Sequence, residues 1–156
     1  MTSATTPSDV GALDVCLRLG QAHAALAKRF DRSLSAHHGI SYGDFVLLTH
    51  LGRAPGGRLR RIDLATAVGM TASGVTRALG PLERIGLVER EANPRDARVA
   101  YAALTETGRR VLDDVHVSAE RVADSVLADT GWSAEDLAAL SRLAARLGAT
   151  GLPPHP

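Results

Sequence analysis

The sequence predicts a mainly helical (α+β) fold that carries one β-hairpin, and three observations point to it. Apolar residues recur at helical spacing in long stretches at both ends of the chain. A central stretch reads as two short helices around a glycine, and two short strand-like runs then flank a turn-rich hexapeptide. Composition agrees: 45% of residues are apolar and only 3% aromatic, so the core must be built from Leu, Val and Ala, which suits closely packed helices. The 156 residues suffice for one domain with its own core and an appended oligomerisation element.

In chain order, residues 1–8 are expected to be disordered. A long helix follows to about residue 37, with Leu13, Leu17, Ala24, Ala27, Phe30 and Leu34 at helical spacing and His38-Gly39 ending it. Ser41, with Asp44 three residues on, opens a second helix bearing Phe45, Val46, Leu48 and Leu51. Residues 53–58 (RAPGGR) read as a loop, 61–68 as a short helix ended by Gly69, and Thr71 caps the next helix, which runs to about Ile85. Pro81 within it predicts a local distortion rather than an end. Residues 87–91 and 98–104 read as strands. Thr105 caps a long helix over 106–129, and the Ser133/Asp136 pair opens a last one with Leu137, Leu140, Leu143 and Leu147 on one stripe. Trp132, at its start, is expected to anchor packing, and the tail 148–156 to be disordered.

Residues 62–82 satisfy the needs of a helix-turn-helix. Ala65 is small where the helices touch, Gly69 allows the chain to reverse, and Val75 is apolar inside the second helix. In that helix Val75, Leu79 and Leu82 share one face, and Ser73, Thr76, Arg77, Gly80 and Arg84 share the other. Small polar groups let a helix N-terminus enter the major groove, where Arg77 reaches a guanine edge, worth about 1–3 kcal/mol of discrimination. The hairpin directly after it makes a wing, with Arg95 and Arg98 suited to the electronegative minor groove. Asp96 between them would be repelled by DNA unless it orients an arginine, and Arg98 is the expected partner.

Charge is distributed accordingly. Residues 53–98 hold nine arginines against five acids, a net +4, while the rest of the chain carries a net −3. A basic middle within acidic flanks points to a polyanionic partner for the middle alone.

The run TASGVTRALGPLERIGLVERE, then NPRDAR, then ALTETGR resembles the core signature of MarR-type regulators, closely over about residues 40–112. That resemblance implies a winged helix-turn-helix over 41–105, between an N-terminal dimerisation helix (9–40) and C-terminal dimerisation helices (106–147). It implies a homodimer that binds a palindromic operator in double-stranded DNA, usually as a repressor that lets go on binding a small phenolic or lipophilic effector. Carried over by position, Ser73, Gly74, Thr76 and Arg77 face the bases, and Thr71 begins the helix at a phosphate. Arg98 is the wing arginine, Asp96 its acidic partner, and Arg60 lies near the wing root. The effector pocket falls between dimer helices and winged domain, with Phe30, His37, Tyr42, Phe45 and His116 as lining candidates. The flanking stripes fit a dimer on physical grounds too, since a winged domain has no internal need for both.

Two sensing alternatives have weaker support. Cys16 lies early in the first helix, where peroxide-sensing relatives carry a reactive thiol, but an unassisted cysteine on an apolar stripe is usually buried and inert. His37, His38 and His116 lack metal-ligand spacing, so no metal and no cofactor is expected. A DNA-binding protein without an effector remains open. An enzyme is not expected, because no nucleophile–base–orienter set, phosphate loop or ligand cluster appears. The polar N-terminus and the want of a roughly 20-residue apolar run predict a cytoplasmic protein that does not enter membranes.

Overall fold

The computed structural model describes residues 10–93 and 96–149, without the side chains of residues 97, 98 and 149. Helix α1 (Ala12–His38) ends where Gly39 adopts the left-handed conformation. Helix α2 (Tyr42–Arg53) starts at a full capping box: the Ser41 hydroxyl accepts from the Asp44 N–H, and the Asp44 carboxylate accepts from the Ser41 N–H at 2.9 Å. Strand β1 (Arg58–Arg60), helix α3 (Arg61–Val68) and helix α4 (Ala72–Arg84) follow. Strands β2 (Val88–Asn93) and β3 (Asp96–Leu104) form the hairpin. Helices α5 (Glu106–Ala128) and α6 (Ala134–Ala149) complete the chain.

Several expectations change. The loop at 53–58 turns tightly at Pro55–Gly57, where Gly56 and Gly57 take positive φ, and runs into β1, an unforeseen third strand. The sheet is antiparallel in the order β1-β3-β2. Three residues carry too little alternation to read as a strand, and only the exposed edge of β3 recruits them, with Arg60 opposite Tyr101. The hairpin strands reach further than 87–91 and 98–104, bringing Asn93 opposite Asp96. As expected, helix α4 does not end at Pro81 but continues to Arg84. Helix α6 includes residues 148 and 149, assigned above to the tail; residues 1–8 and 150–156 lie outside the described residues.

The core gathers Leu34 of α1, Leu47, Leu48 and Leu51 of α2, Leu64 of α3, Val75, Leu79 and Leu82 of α4, Val88 of β2 and Val115 of α5. Burying a side chain of this size is worth about 1.5–3 kcal/mol, so this cluster holds the central helices and sheet together. Leu47, not singled out from the sequence, is buried, whereas Phe45 and Val46 are half-buried.

The end helices behave differently. Leu13 and Leu17 of α1 are 72% and 58% exposed, and Leu140, Leu143 and Leu147 of α6 are exposed as well. Trp132 is 45% exposed and lies outside the central core cluster. Cys16 is exposed rather than buried, because it lies in the first half of α1, which is largely exposed, and the core takes up only the later part of that stripe, at Phe30 and Leu34. No described helix is long and apolar enough to cross a membrane.

Helix α6 begins with a titratable cap. The Ser133 hydroxyl and N–H donate to the Asp136 carboxylate at 2.7 and 2.9 Å, and these bonds hold its pKa below the ordinary 3.8. A depressed carboxylate stabilises the fold above its unfolded pKa and loses that contribution as pH falls through the folded value. The first turn of α6 is therefore expected to fray below about pH 4. Hydrogen exchange at the Asp136 amide should report it, and Asp136→Asn should abolish the pH dependence. Equal fraying in both proteins would remove the cap from the explanation.

Candidate nucleic-acid interface

The turn between α3 and α4 is built by three local choices. Ala65 is buried against the neighbouring helix, Gly69 takes φ +67° to end α3, and Thr71 caps α4 by accepting from the Gly74 N–H at 3.0 Å. A side chain at residue 69 would strain the left-handed conformation, which glycine adopts freely. Thr71 Oγ1 also lies 3.2 Å from Ser73 Oγ, and Thr76 Oγ1 donates to the Ala72 carbonyl at 3.0 Å. The start of α4 thus presents a capped N-terminus with backbone N–H groups and hydroxyls, a setting that favours a phosphate.

Val75 and Leu79 are fully buried and Leu82 nearly so, which turns the other face of α4 outward. Thr71, Ser73, Thr76, Arg77 and Arg84 are exposed on it, and Gly74 is partly so. Arg77 makes no hydrogen bond or ion pair among the described residues, so its guanidinium stays available.

Arg60 is less available than expected. It ends β1 and grips Asp63 through two bonds, at 2.6 and 3.0 Å. The hydrogen bond to Asp63, then the charge of Asp63, raises its pKa further. Asp96 and Arg98 both lie in β3, Asp96 at the tip of the hairpin. Arg95 and the side chain of Arg98 fall outside the described residues, and with them the expected Asp96–Arg98 pairing.

Four of the five pocket candidates line one groove. Phe30, Tyr42, Phe45 and His116 border about 240 Å³ together with Thr49, Arg53 and Glu120. Phe30 and Tyr42 rings lie 4.9 Å apart, and His116 pairs with Glu120 at 3.3 Å. His37 is not among them: it lines a separate groove. The three histidines considered for metal have separate partners, His37 on the Ser33 carbonyl, His38 on Ser118 and His116 on Glu120. Neither tyrosine lies on α1 beside Cys16.

The family model of the MarR family matches residues 38–99, which span α2 through most of the hairpin. The chain is 34% identical over 109 residues to YdgJ of Bacillus subtilis, an uncharacterised HTH-type transcriptional regulator, across 70% of this chain and 64% of that protein. The chain thus aligns with somewhat less than two thirds of the curated relatives it matches. Sco3205 of Streptomyces coelicolor, a MarR family regulator solved in complex with DNA, superposes with a TM-score of 0.78 at 29% identity, over 97% of this chain and 94% of that one. AbsC, a MarR family regulator of the same organism, superposes with a TM-score of 0.77 at 25% identity, over 96% and 97%. The chain is thus similar to MarR family regulators in sequence from α2 to the hairpin, and it has their winged-helix fold.

Sequence reasoning missed several residues that hold this MarR fold in shape. Arg61, at the start of α3, is ion-paired with Glu83, near the end of α4, and its side chain is only 15% exposed. That pair ties the two helices of the helix-turn-helix at their open ends. Glu83 lies in the Leu-Glu-Arg-x-Gly-Leu-Val run, so the motif was the signal, but its partner 22 residues earlier was not legible. Arg58 bridges the sheet, donating to Glu91 at 2.8 Å while lying 5.4 Å over the Tyr101 ring. The Leu-Thr-x-x-Gly motif joins the wing to α5: the Thr105 hydroxyl donates to the Gly86 carbonyl at 2.6 Å and accepts from the Gly108 N–H at 2.9 Å.

Proposed function

We propose that this protein is a MarR-family, sequence-specific DNA-binding transcriptional regulator that acts as a homodimer on a palindromic operator, as a ligand-responsive repressor. One observation carries the reading: the outer face of α4 exposes Ser73, Thr76 and an uncommitted Arg77 beside a helix start capped by Thr71. This is the shape and chemistry that read base edges from the major groove. The DNA complex of Sco3205 supports it, since that protein shares this architecture along nearly its whole length.

The homodimer rests on the exposed leucines of α1 and α6. Left in water they form apolar surface of a size that monomers rarely keep, and pairing across a two-fold axis buries it. The same pairing sets two α4 helices about one helical turn apart on DNA. The effector reading rests on the groove of Phe30, Tyr42, Phe45 and His116. Its volume exceeds the roughly 150 Å³ that holds benzene, so a small phenolic or lipophilic compound fits. Such an effector must change DNA affinity by a coupling energy of about 1–3 kcal/mol.

The deciding experiment is selection of genomic fragments from a random pool by the purified protein at two salt concentrations. An inverted repeat with half-sites about one turn apart is expected. Recovery of unselected, strongly salt-sensitive fragments would contradict a specific operator. For the wing, Arg98→Ala is expected to weaken binding and to lower the slope of log affinity against log salt by about one unit. An unaltered slope would take residue 98 out of the interface.

A further inference from the structure

The groove that His37 lines shares no residue with the aromatic one and lies between α1 and α5. It is an open groove of about 650 Å³, a volume within the range of small-molecule sites. Arg29, Arg32 and His37 of α1 border it, facing Ser118, Arg121 and Ser125 of α5, with Ala36 and Val122 as apolar wall. None of its lining residues is acidic. Outside residues 53–98 acids outnumber Lys and Arg by twelve to nine, yet three of those nine cations converge here. A solvated surface would scatter them among the acids.

The charges are unequal in availability. Arg29 is held by Asp129, the residue that follows α5, through bonds of 3.2 and 3.3 Å. Arg32 and Arg121 make no hydrogen bond or ion pair among the described residues, so two guanidiniums without a protein partner border the same groove from the two helices. His37 donates from Nδ1 to the Ser33 carbonyl at 2.8 Å, since a carbonyl can only accept. Its Nε2 is left without a protein partner among the described residues.

We propose that this α1–α5 groove binds a compact organic dianion, a dicarboxylate or a phosphomonoester, clamped between Arg32 and Arg121. Two free guanidiniums match two negative charges, and each offers a planar fork that bonds a carboxylate or phosphate bidentately. The Ser125 hydroxyl and His37 Nε2 supply further polar contacts, and Ala36 and Val122 accept the carbon portion. This site is separate from the aromatic groove and does not depend on DNA binding.

Calorimetric titration of the full chain with succinate and, separately, with inorganic phosphate tests it, at fixed ionic strength against chloride. One saturable site per chain is expected for at least one probe, with acetate much weaker. Tighter binding of succinate assigns the dicarboxylate, and tighter binding of phosphate the phosphomonoester. The Arg32→Ala/Arg121→Ala variant should bind at least tenfold more weakly with unchanged circular dichroism, because both side chains are exposed. The ring nitrogens of His37 should shift during titration of the parent alone. Absence of binding above chloride, or equal binding by the double variant, overturns the proposal. So does a change in sedimentation of the unliganded double variant, which would make these arginines a contact with a second copy.

Discussion

An Arg77→Ala variant is expected to fold normally and to lose base preference at one position of each half-site. The side chain is exposed and unpaired, so its removal leaves no buried group without a partner. The cost should therefore appear in recognition alone. A bidentate arginine–guanine contact is worth about 1–3 kcal/mol, or roughly 5- to 150-fold between the right base and a wrong one. Competition among operators substituted one base pair at a time measures this directly, because only one position should flatten. A uniform loss across all sequences would recast Arg77 as a phosphate contact, and unchanged selectivity would mean that another surface reads the bases.

The second large effect is expected in stability. A Cβ at residue 108 would lie 2.0 Å from the Leu87 carbonyl oxygen and 2.8 Å from Leu104 Cδ1. The carbonyl cannot retreat freely, since it accepts from the Thr105 N–H at 3.1 Å. Gly108→Ala should therefore cost strain at or above the upper end of the 1–3 kcal/mol typical of overpacking. Alanine returns about 1 kcal/mol through helix propensity, leaving a net loss of about 2 kcal/mol. Urea unfolding should show a lower midpoint at unchanged slope. Gly80→Ala is the control, because its Cβ would meet open space within α4. It should be neutral or stabilising. If both substitutions behave alike, the close approach of α5 to Leu87 is not what residue 108 provides.

These two predictions differ in how far the sequence reaches. The recognition helix was legible because everything that defines it is local. Thr71 bonds a residue three positions on, Gly69 closes the helix it follows, and Val75, Leu79 and Leu82 repeat at helical spacing. The capping pairs at Ser41/Asp44 and Ser133/Asp136 were legible for the same reason. Glycine at 108 was visible as part of a motif, but its purpose was not. That purpose is an approach to a carbonyl 21 residues earlier.

The candidate pocket divides in the same way. Phe30, Tyr42, Phe45 and His116 come from three helices; the family resemblance grouped them, and they border one groove. His37 was grouped with them, but it lines the other groove. Seven residues span almost two turns, so small differences in phase decide which side of α5 each one meets.

What the sequence by itself determined is the order and type of most elements, the turn and cap chemistry, and the outward face of α4. Those properties are set within a few residues, by helical periodicity and by side chains that bond the nearby backbone. The tertiary structure alone decided that Arg58–Arg60 becomes a strand and that Arg61 locks onto Glu83. It alone decided that Gly108 meets Leu87, that Arg60 is engaged by Asp63, and that three arginines converge between α1 and α5. Most of these join residues tens of positions apart, and Arg60–Asp63 depends on the strand-to-helix corner that the sheet imposes. Such pairings follow from the way whole faces pack, which local pattern does not encode.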